Sequence, residues 1–360
     1  MKPHKIIISG GGTGGHLFPA LAIAEEFQNR FSDAEILFVG ALGRIEMTKV
    51  PNAGYKIIGL WVDGFQRKLT LKNLIFPIKL FFSLFKSIFI VMTYKPNLVV
   101  GTGGYASGPI IFISNLFNIP SLIQEQNSYP GITNKLLSGS VDRIAVAYEG
   151  LEHYFPKNKI VVTGNPIRKF IKKSRIDAVN AKKHFNLNPQ KTTLVVLGGS
   201  LGAKTINQLI AEKLDWFLSL DIQIVWQCGS LYYNQYKELS CKEVNIFAFV
   251  NEMDQLYACA DIIISRSGAA TLAELSCVAK PAILIPSPNV AENHQFHNAM
   301  ALANQNAALV VTEKNLNKKF ESAFEALLDK KKQKEVIHNL RQLAKPNAVK
   351  EIVNNIQELL

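Results

Sequence analysis

The chain has 360 residues, 48% hydrophobic and 19% charged, with 40 Lys and Arg against 28 Asp and Glu and a formal net charge of +12. That length provides for about two domains and an ample core, and it excludes a disulfide- or metal-stapled miniprotein as well as a disordered chain. The basic balance calls for an anionic partner, with nucleic acid the first to weigh.

The N-terminus, Met1-Lys-Pro-His-Lys5, leads into only Ile6-Ile-Ile8 before glycine. A secretory signal needs an apolar core of about 7–15 residues, so a reducing, cytosolic location is expected. Cys228, Cys241, Cys259 and Cys277 include no Cys-x-x-Cys pair, so neither a zinc ribbon nor a dithiol redox site is indicated.

Short β-rich runs at 5–9, 36–40, 55–60, 97–100, 121–123 and 143–147 alternate with helical patterns. After a junction expected near Thr163–Arg168, the alternation resumes at 192–197, 222–226, 245–249, 261–265 and 282–285. Strands separated by helical crossovers predict parallel sheets and an α/β fold.

The first run opens onto Gly10-Gly-Gly-Thr-Gly-Gly-His16. Gly10, Gly12 and Gly15 satisfy G-x-G-x-x-G, but the next strand ends Phe38-Val-Gly40 and continues Ala41-Leu42, without the acidic residue that would hold a dinucleotide's ribose. A nicotinamide dehydrogenase is therefore disfavoured. His16 closes the loop, and an imidazole with an ordinary pKa near about 6.5 suits deprotonation of a hydroxyl or orientation of a phosphate.

Between Asp63 and Glu125 no acidic residue occurs, whereas Arg67, Lys68, Lys72, Lys79, Lys86 and Lys95 do; the first 180 residues hold 21 basic and 11 acidic side chains. Within this interval, residues 74–92 approach the length of a membrane span. Their Leu, Ile, Phe and Val gain roughly 4–8 kcal/mol on insertion, and central Lys79 and Lys86 cost roughly 5–7, so spanning is disfavoured. Lys72, Lys79 and Lys86, seven apart, form one stripe of a helix beside Ser83 and Ser87. Ile75, Phe81, Phe82 and Phe85 complete an expected interfacial helix, against the alternative of a core helix with a snorkelling lysine edge.

Two further glycine loops follow, Gly101-Thr-Gly-Gly-Tyr-Ala-Ser-Gly-Pro109 and Gly198-Gly-Ser-Leu-Gly-Ala203. Glycine clears the approach of a ligand to backbone N–H groups at a helix start, a common way to hold phosphate. Gly202-Ala-Lys-Thr205 lacks the glycine that precedes lysine in a P-loop, so nucleotide hydrolysis is not supported. No Asp-x-Asp pair offers to hold a metal under a diphosphate, and leaving-group charge falls to helix N-termini with Arg168 or Arg266. Residues 313–345 read as solvated helical faces, and 346–360 as an amphipathic helix packing on either domain.

Together with Glu125-Gln-Asn127, Gly164-Asn-Pro-Ile-Arg168, Arg266-Ser-Gly-Ala-Ala-Thr-Leu-Ala-Glu274 and His294-Gln295, these loops resemble, over nearly the whole chain, the bacterial N-acetylglucosaminyltransferases of glycosyltransferase family 28. The resemblance implies a GT-B fold, with two doubly wound parallel-sheet domains facing a cleft. Residues 1–163 would bind the acceptor and membrane, 164–345 would bind UDP-N-acetylglucosamine (UDP-GlcNAc), and 346–360 would form a C-terminal helix that could pack back on the N-terminal domain. It implies His16 as catalytic base. Thr13, Gly14, Gly15, Asn127, Arg168, Ser200, Val250, Ala269, Ala270, Thr271, Leu272, Glu274 and Gln295 would surround UDP-GlcNAc, with Glu274 on the ribose diol and Val250 at uracil. Gly103, Gly104, Tyr105 and Ser107 would meet the acceptor pyrophosphate. Implied partners are an undecaprenyl-pyrophosphate-linked muropeptide, an anionic membrane surface at the cytoplasmic face, and cell-wall and division proteins; no nucleic acid, cofactor or metal is expected. Another GT-B transferase, a UDP-sugar epimerase and a non-catalytic nucleotide-sugar-binding adaptor are the alternatives. Many relatives carry histidine where this chain has Gln124, so no acid–base role transfers to that position.

Overall fold

The computed structural model describes residues 3–64, 71–168, 176–199 and 201–360, with backbone alone for 71–74. Ser200, the side chain of Lys72 and the basic run 169–175 lie outside the described residues. The chain divides into two compact units, Met1–Ile167 with Asn347–Leu360, and Arg168–Pro346.

Among the described residues, the first unit is built on a seven-stranded parallel sheet of order β3-β2-β1-β4-β5-β6-β7. Its strands are β1 (Lys5–Ser9), β2 (Glu35–Ala41), β3 (Lys56–Leu60), β4 (Leu98–Gly101), β5 (Ser121–Glu125), β6 (Arg143–Val146) and β7 (Ile160–Val162). Both faces are covered, so central strands read as continuous aliphatic runs such as Ile6-Ile-Ile8 and Leu98-Val-Val100. Alternation sends Ile7 to one face and Ile6 and Ile8 to the other. Ile7 joins Ile90 and Val91 of helix α3 (Leu71–Tyr94) and Ile110, Ile111 and Ile113 of helix α4 (Ser107–Leu116). On the opposite face Ile6 and Ile8 join Leu17, Ile23 and Phe27 of helix α1 (Gly14–Arg30) and Ile352, Val353 and Ile356 of the C-terminal helix Ala348–Gln357.

The second unit carries a six-stranded parallel sheet, β10-β9-β8-β11-β12-β13, again counted over the described residues. The strands are β8 (Thr192–Leu197), β9 (Ile222–Gln227), β10 (Val244–Phe247), β11 (Ile262–Ser265), β12 (Ala282–Leu284) and β13 (Leu309–Val310). The short edge strands β7 and β13 go beyond the runs read from sequence, since two or three residues carry no usable periodicity. Strand order reverses at β1/β4 and at β8/β11, the switch points where open α/β sheets present ligand sites beyond their carboxyl ends.

Helix α3 is oriented by its polar stripe. Ser83 and Ser87 are buried; the Ser83 hydroxyl donates to the Trp61 carbonyl at 3.0 Å and that of Ser87 to the Ser83 carbonyl at 2.8 Å. The Lys79 ammonium pairs with Asp63 and lies 5.4 Å from the Trp61 ring centre, and Lys86 donates to the Gly59 carbonyl at 2.7 Å. Both lysines are thus turned back onto the domain rather than outward. Phe81, Phe82, Phe85 and Phe89 are more than half exposed, and Ile75, Ile78 and Met92 are exposed with them. By length and composition Ile75–Tyr94 is long and apolar enough to cross a membrane. Its buried Ser83, Ser87, Ile90 and Val91 nevertheless make it a wall of the first unit.

Candidate active site

In the first unit, strand register assembles the site. Ser9 of β1 pairs with Gly101 of β4, and the Thr102 N–H donates to the Ser9 carbonyl at 2.8 Å, so two glycine loops leave the sheet side by side. They interlock closely. Gly103 and Gly104 have φ of +96° and +89°, and a β-carbon would lie 2.7 Å from His16 Nδ1 at Gly103 and 2.4 Å from the Gly11 carbonyl oxygen at Gly104. Only glycine supplies both the conformation and the clearance.

His16 sits in the first turn of α1, whose N-cap, Thr13, makes no side-chain capping bond and whose first turn has no acidic residue. The opening N–H groups of Gly14 and Gly15 are therefore suited to an anion. His16 Nδ1 lies 3.0 Å from the Thr102 carbonyl oxygen and 3.0 Å from Gln126 Oε1. Both are acceptors, because the Gln126 amide nitrogen is itself committed as donor to the Thr102 carbonyl at 2.7 Å and to the Gln124 carbonyl at 3.3 Å. Nδ1 thus carries the proton in the neutral ring, and Nε2 holds the basic lone pair.

Behind the ring lies a buried amide network that sequence reading did not assign. Gln124 donates to Asn165 Oδ1 at 3.0 Å, and the Asn165 amide donates to the Gln126 carbonyl at 2.9 Å. Gln124 is a fixed neutral link here, in keeping with a side chain that does not titrate. Glu125 is buried and accepts from the Asn127 N–H, the Gly131 N–H and the Asn134 amide at 2.8–3.0 Å, and from the Asn127 amide at 3.1 Å; this orders the loop that carries Asn127.

Glu46 is the second unassigned carboxylate. Fully buried, it accepts from the Gly12 N–H at 2.9 Å and the Ala41 N–H at 3.0 Å, bracing the first loop from below. An acid does reach the G-x-G-x-x-G loop, but it faces backbone donors rather than a ribose. Tyr105 is half exposed and packs on Gly64. The Ser107 hydroxyl is buried, donates to the Gly104 carbonyl at 2.8 Å and shapes the turn.

In the second unit the helix Ala269–Val278 follows β11, with Gly268 at its N-cap and no side-chain capping bond. Ala269, Ala270 and Thr271 thereby offer their N–H groups at a dipole's positive end. Further along this helix, Glu274 is 4% exposed and Leu272 is buried. Arg168 grips Glu274 through both oxygens, Nε to Oε1 at 2.6 Å and Nη2 to Oε2 at 2.5 Å, and the Tyr257 hydroxyl donates to Oε2 at 2.8 Å. Burial works against the Arg168 charge, yet the Glu274 carboxylate holds its pKa above the ordinary arginine value. Burial, reinforced by Glu274, pushes the Tyr257 hydroxyl well up, so it is a neutral donor.

Gln227, also missed in the sequence, bridges the third glycine loop and Val250: its amide donates to the Gly199 carbonyl at 3.1 Å and its Oε1 accepts from the Val250 N–H at 2.9 Å. Gln295 Oε1 accepts from the Ser287 N–H at 2.9 Å. Arg266 is paired with Glu313 at 2.6 Å and donates to the Ile285 carbonyl at 3.0 Å.

Residues 6–146 match the glycosyltransferase family 28 N-terminal domain, and 193–354 the family 28 C-terminal domain. The chain belongs to glycosyltransferase family 28. Across its whole length it is 53% identical to a UDP-N-acetylglucosamine–N-acetylmuramyl-(pentapeptide) pyrophosphoryl-undecaprenol N-acetylglucosamine transferase of Flavobacterium psychrophilum, covering 99% of that relative. The same enzyme of Christiangramia forsetii is 49% identical over 99% of this chain and 98% of its own. Among solved structures, MurG of Acinetobacter baumannii superposes with a TM-score of 0.81 at 25% identity, covering 99% of both chains. Family 28 membership agrees with the paired parallel sheets and with glycine loops at both switch points.

Proposed function

We propose that this family 28 enzyme transfers N-acetylglucosamine from UDP-GlcNAc to the 4-hydroxyl of N-acetylmuramic acid in undecaprenyl-pyrophosphoryl-N-acetylmuramoyl-pentapeptide, with inversion, converting lipid I to lipid II in peptidoglycan synthesis. The names of full-length relatives at up to 53% identity support the substrates. The observation that supports the chemistry is the pair of acceptors facing His16 Nδ1, which leaves the lone pair of a base on Nε2.

In this reading the acceptor oxygen attacks C1 of the sugar and its proton passes to His16 Nε2. The bond from C1 to the diphosphate breaks, and its electron pair leaves with UDP. The uncapped start of Ala269–Val278 and the Arg168 guanidinium meet that charge. Glu274 receives the ribose diol, Val250 lines the uracil, and Asn127 and Gln295 read the sugar hydroxyls. Gly103 and Gly104, with Tyr105 beside them, receive the acceptor pyrophosphate.

The enzyme works as a peripheral protein on the cytoplasmic face of the membrane, seated through the phenylalanine face of α3. Burying a fully exposed phenylalanine contributes roughly 1.5–3 kcal/mol, and these four, more than half exposed, add a share of that each to the attraction of an anionic leaflet at about 1 kcal/mol per cation. The α4 residues Phe112 and Leu116 and the following Phe117 are also exposed.

Purified protein given UDP-[14C]GlcNAc and the lipid-linked muropeptide is expected to yield a labelled lipid-pyrophosphate disaccharide and free UDP. Absence of label from that lipid, or conversion of UDP-GlcNAc to another UDP-sugar, refutes the proposal.

A further inference from the structure

We infer that Arg168 and the donor's ribose compete for Glu274, and that Tyr257 is the positioning residue that holds this carboxylate through the exchange. The inference rests on the reading of Glu274 as the ribose acceptor.

It follows from lone-pair accounting. An ionised carboxylate offers about four acceptor sites. Arg168 Nε fills one on Oε1, and Arg168 Nη2 and the Tyr257 hydroxyl fill both on Oε2. A ribose diol brings two donors and finds one site, so at least one Arg168 bond must break for the diol to bind.

The partners differ in which can yield. Tyr257 is 2% exposed and part of the core, whereas the Arg168 side chain is 44% exposed on a long stem. A carboxylate as buried as Glu274 must keep a donor, and Tyr257 supplies it in both states. The arginine is the one that leaves.

It has a destination nearby. Glu274 follows Ala269 by five residues, about 7 Å along the helix axis at 1.5 Å per residue. A guanidinium swinging off Glu274 can therefore reach the uncapped first turn, where the diphosphate's charge would be held. Recognition of the ribose diol and delivery of the cation to the leaving group become one event. A nucleoside without the diol leaves Arg168 on Glu274.

Isothermal titration of the full-length protein with uridine, 2′,3′-dideoxyuridine and UDP tests this. The wild type is expected to bind uridine more tightly than dideoxyuridine. Removing the competitor in Arg168→Ala is expected to tighten uridine roughly 3- to 10-fold, leave dideoxyuridine unchanged and weaken UDP about 10-fold or more. Tyr257→Phe is expected to weaken uridine about 10-fold while sparing dideoxyuridine; where circular dichroism shows that this variant does not fold, the Arg168→Ala series decides alone. Uridine binding that is unchanged or weaker in Arg168→Ala overturns the exchange, and equal losses for both nucleosides in Tyr257→Phe overturn the positioning role. A wild type that does not separate the two nucleosides removes Glu274 as ribose acceptor, and the functional reading of that residue falls with the inference.

Discussion

The neighbours of His16 choose its tautomer. With Nδ1 facing the Thr102 carbonyl and Gln126 Oε1, the neutral ring keeps its lone pair on Nε2, as the proposed base requires. His16→Ala is expected to lower kcat by about 10²–10⁴ with little change in KM for UDP-GlcNAc, the magnitude of a lost general base. Gln126→Leu keeps the Thr102 contact but frees the ring to rotate, and steady-state kinetics should show kcat down about 10-fold at unchanged KM. Glu46 is different in kind, since it braces the loop and touches no reacting atom. In Glu46→Gln an amide replaces one acceptor with a donor against buried N–H groups, and urea denaturation should show a loss of roughly 1–3 kcal/mol. The loop glycines and His16 announced themselves in sequence through local backbone chemistry. Glu46 did not, because it lies 34 positions from Gly12 and nothing local marks a carboxylate that will end beneath a glycine loop.

At the scale of the element, α3 carries the clearest difference between expectation and structure. Periodicity placed Lys79 and Lys86 on one side of the helix with Ser83 and Ser87 but could not say which side meets the domain. The stripe of serines and lysines turns inward because the Trp61 and Gly59 carbonyls and Asp63 satisfy its donors, and the phenylalanines are left outside. Phe81→Glu and Phe85→Glu should therefore abolish sedimentation with anionic vesicles without altering the melting curve, whereas Lys79→Ala should loosen the helix. The hydrogen bond from Lys79 holds the Asp63 carboxyl below its ordinary value, with Lys79 and Arg44 charges adding to it against the opposing effect of burial. A depressed folded pKa means the contribution is complete above about pH 4 and is lost as pH falls through the lowered value. Because Asp63 is half exposed, the effect is small. Asp63→Asn should flatten this acid limb in denaturation curves measured between about pH 2 and pH 5.

At the scale of the molecule, the chain's end completes the first unit. Ile352, Val353 and Ile356 are fully buried against α1, and Arg143 donates to Asn355 at 2.8 Å and pairs with Glu358 at 2.5 Å. Those three aliphatic side chains contribute at most roughly 5–9 kcal/mol, comparable to the whole stability of a domain. A chain ending at Pro346 should therefore lose the first unit's unfolding transition in calorimetry while retaining that of the second. The tail's amphipathic pattern was readable in sequence, but its partner was not, since an apolar stripe states that it must be covered without naming the cover. The same division runs through the protein. Two parallel sheets and three glycine loops are written in short-range patterns of β-branched runs and residues with no side chain, and the motifs beside those loops carry the resemblance to family 28. Pairings across tens to hundreds of positions, Glu46 under Gly12, Gln126 on His16 and Arg168 on Glu274, exist only once each unit's own sheet aligns the carboxyl ends of its strands. Which donor meets which acceptor is settled by that alignment, because a hydrogen bond acts over about 3 Å of space and is indifferent to separation along the chain.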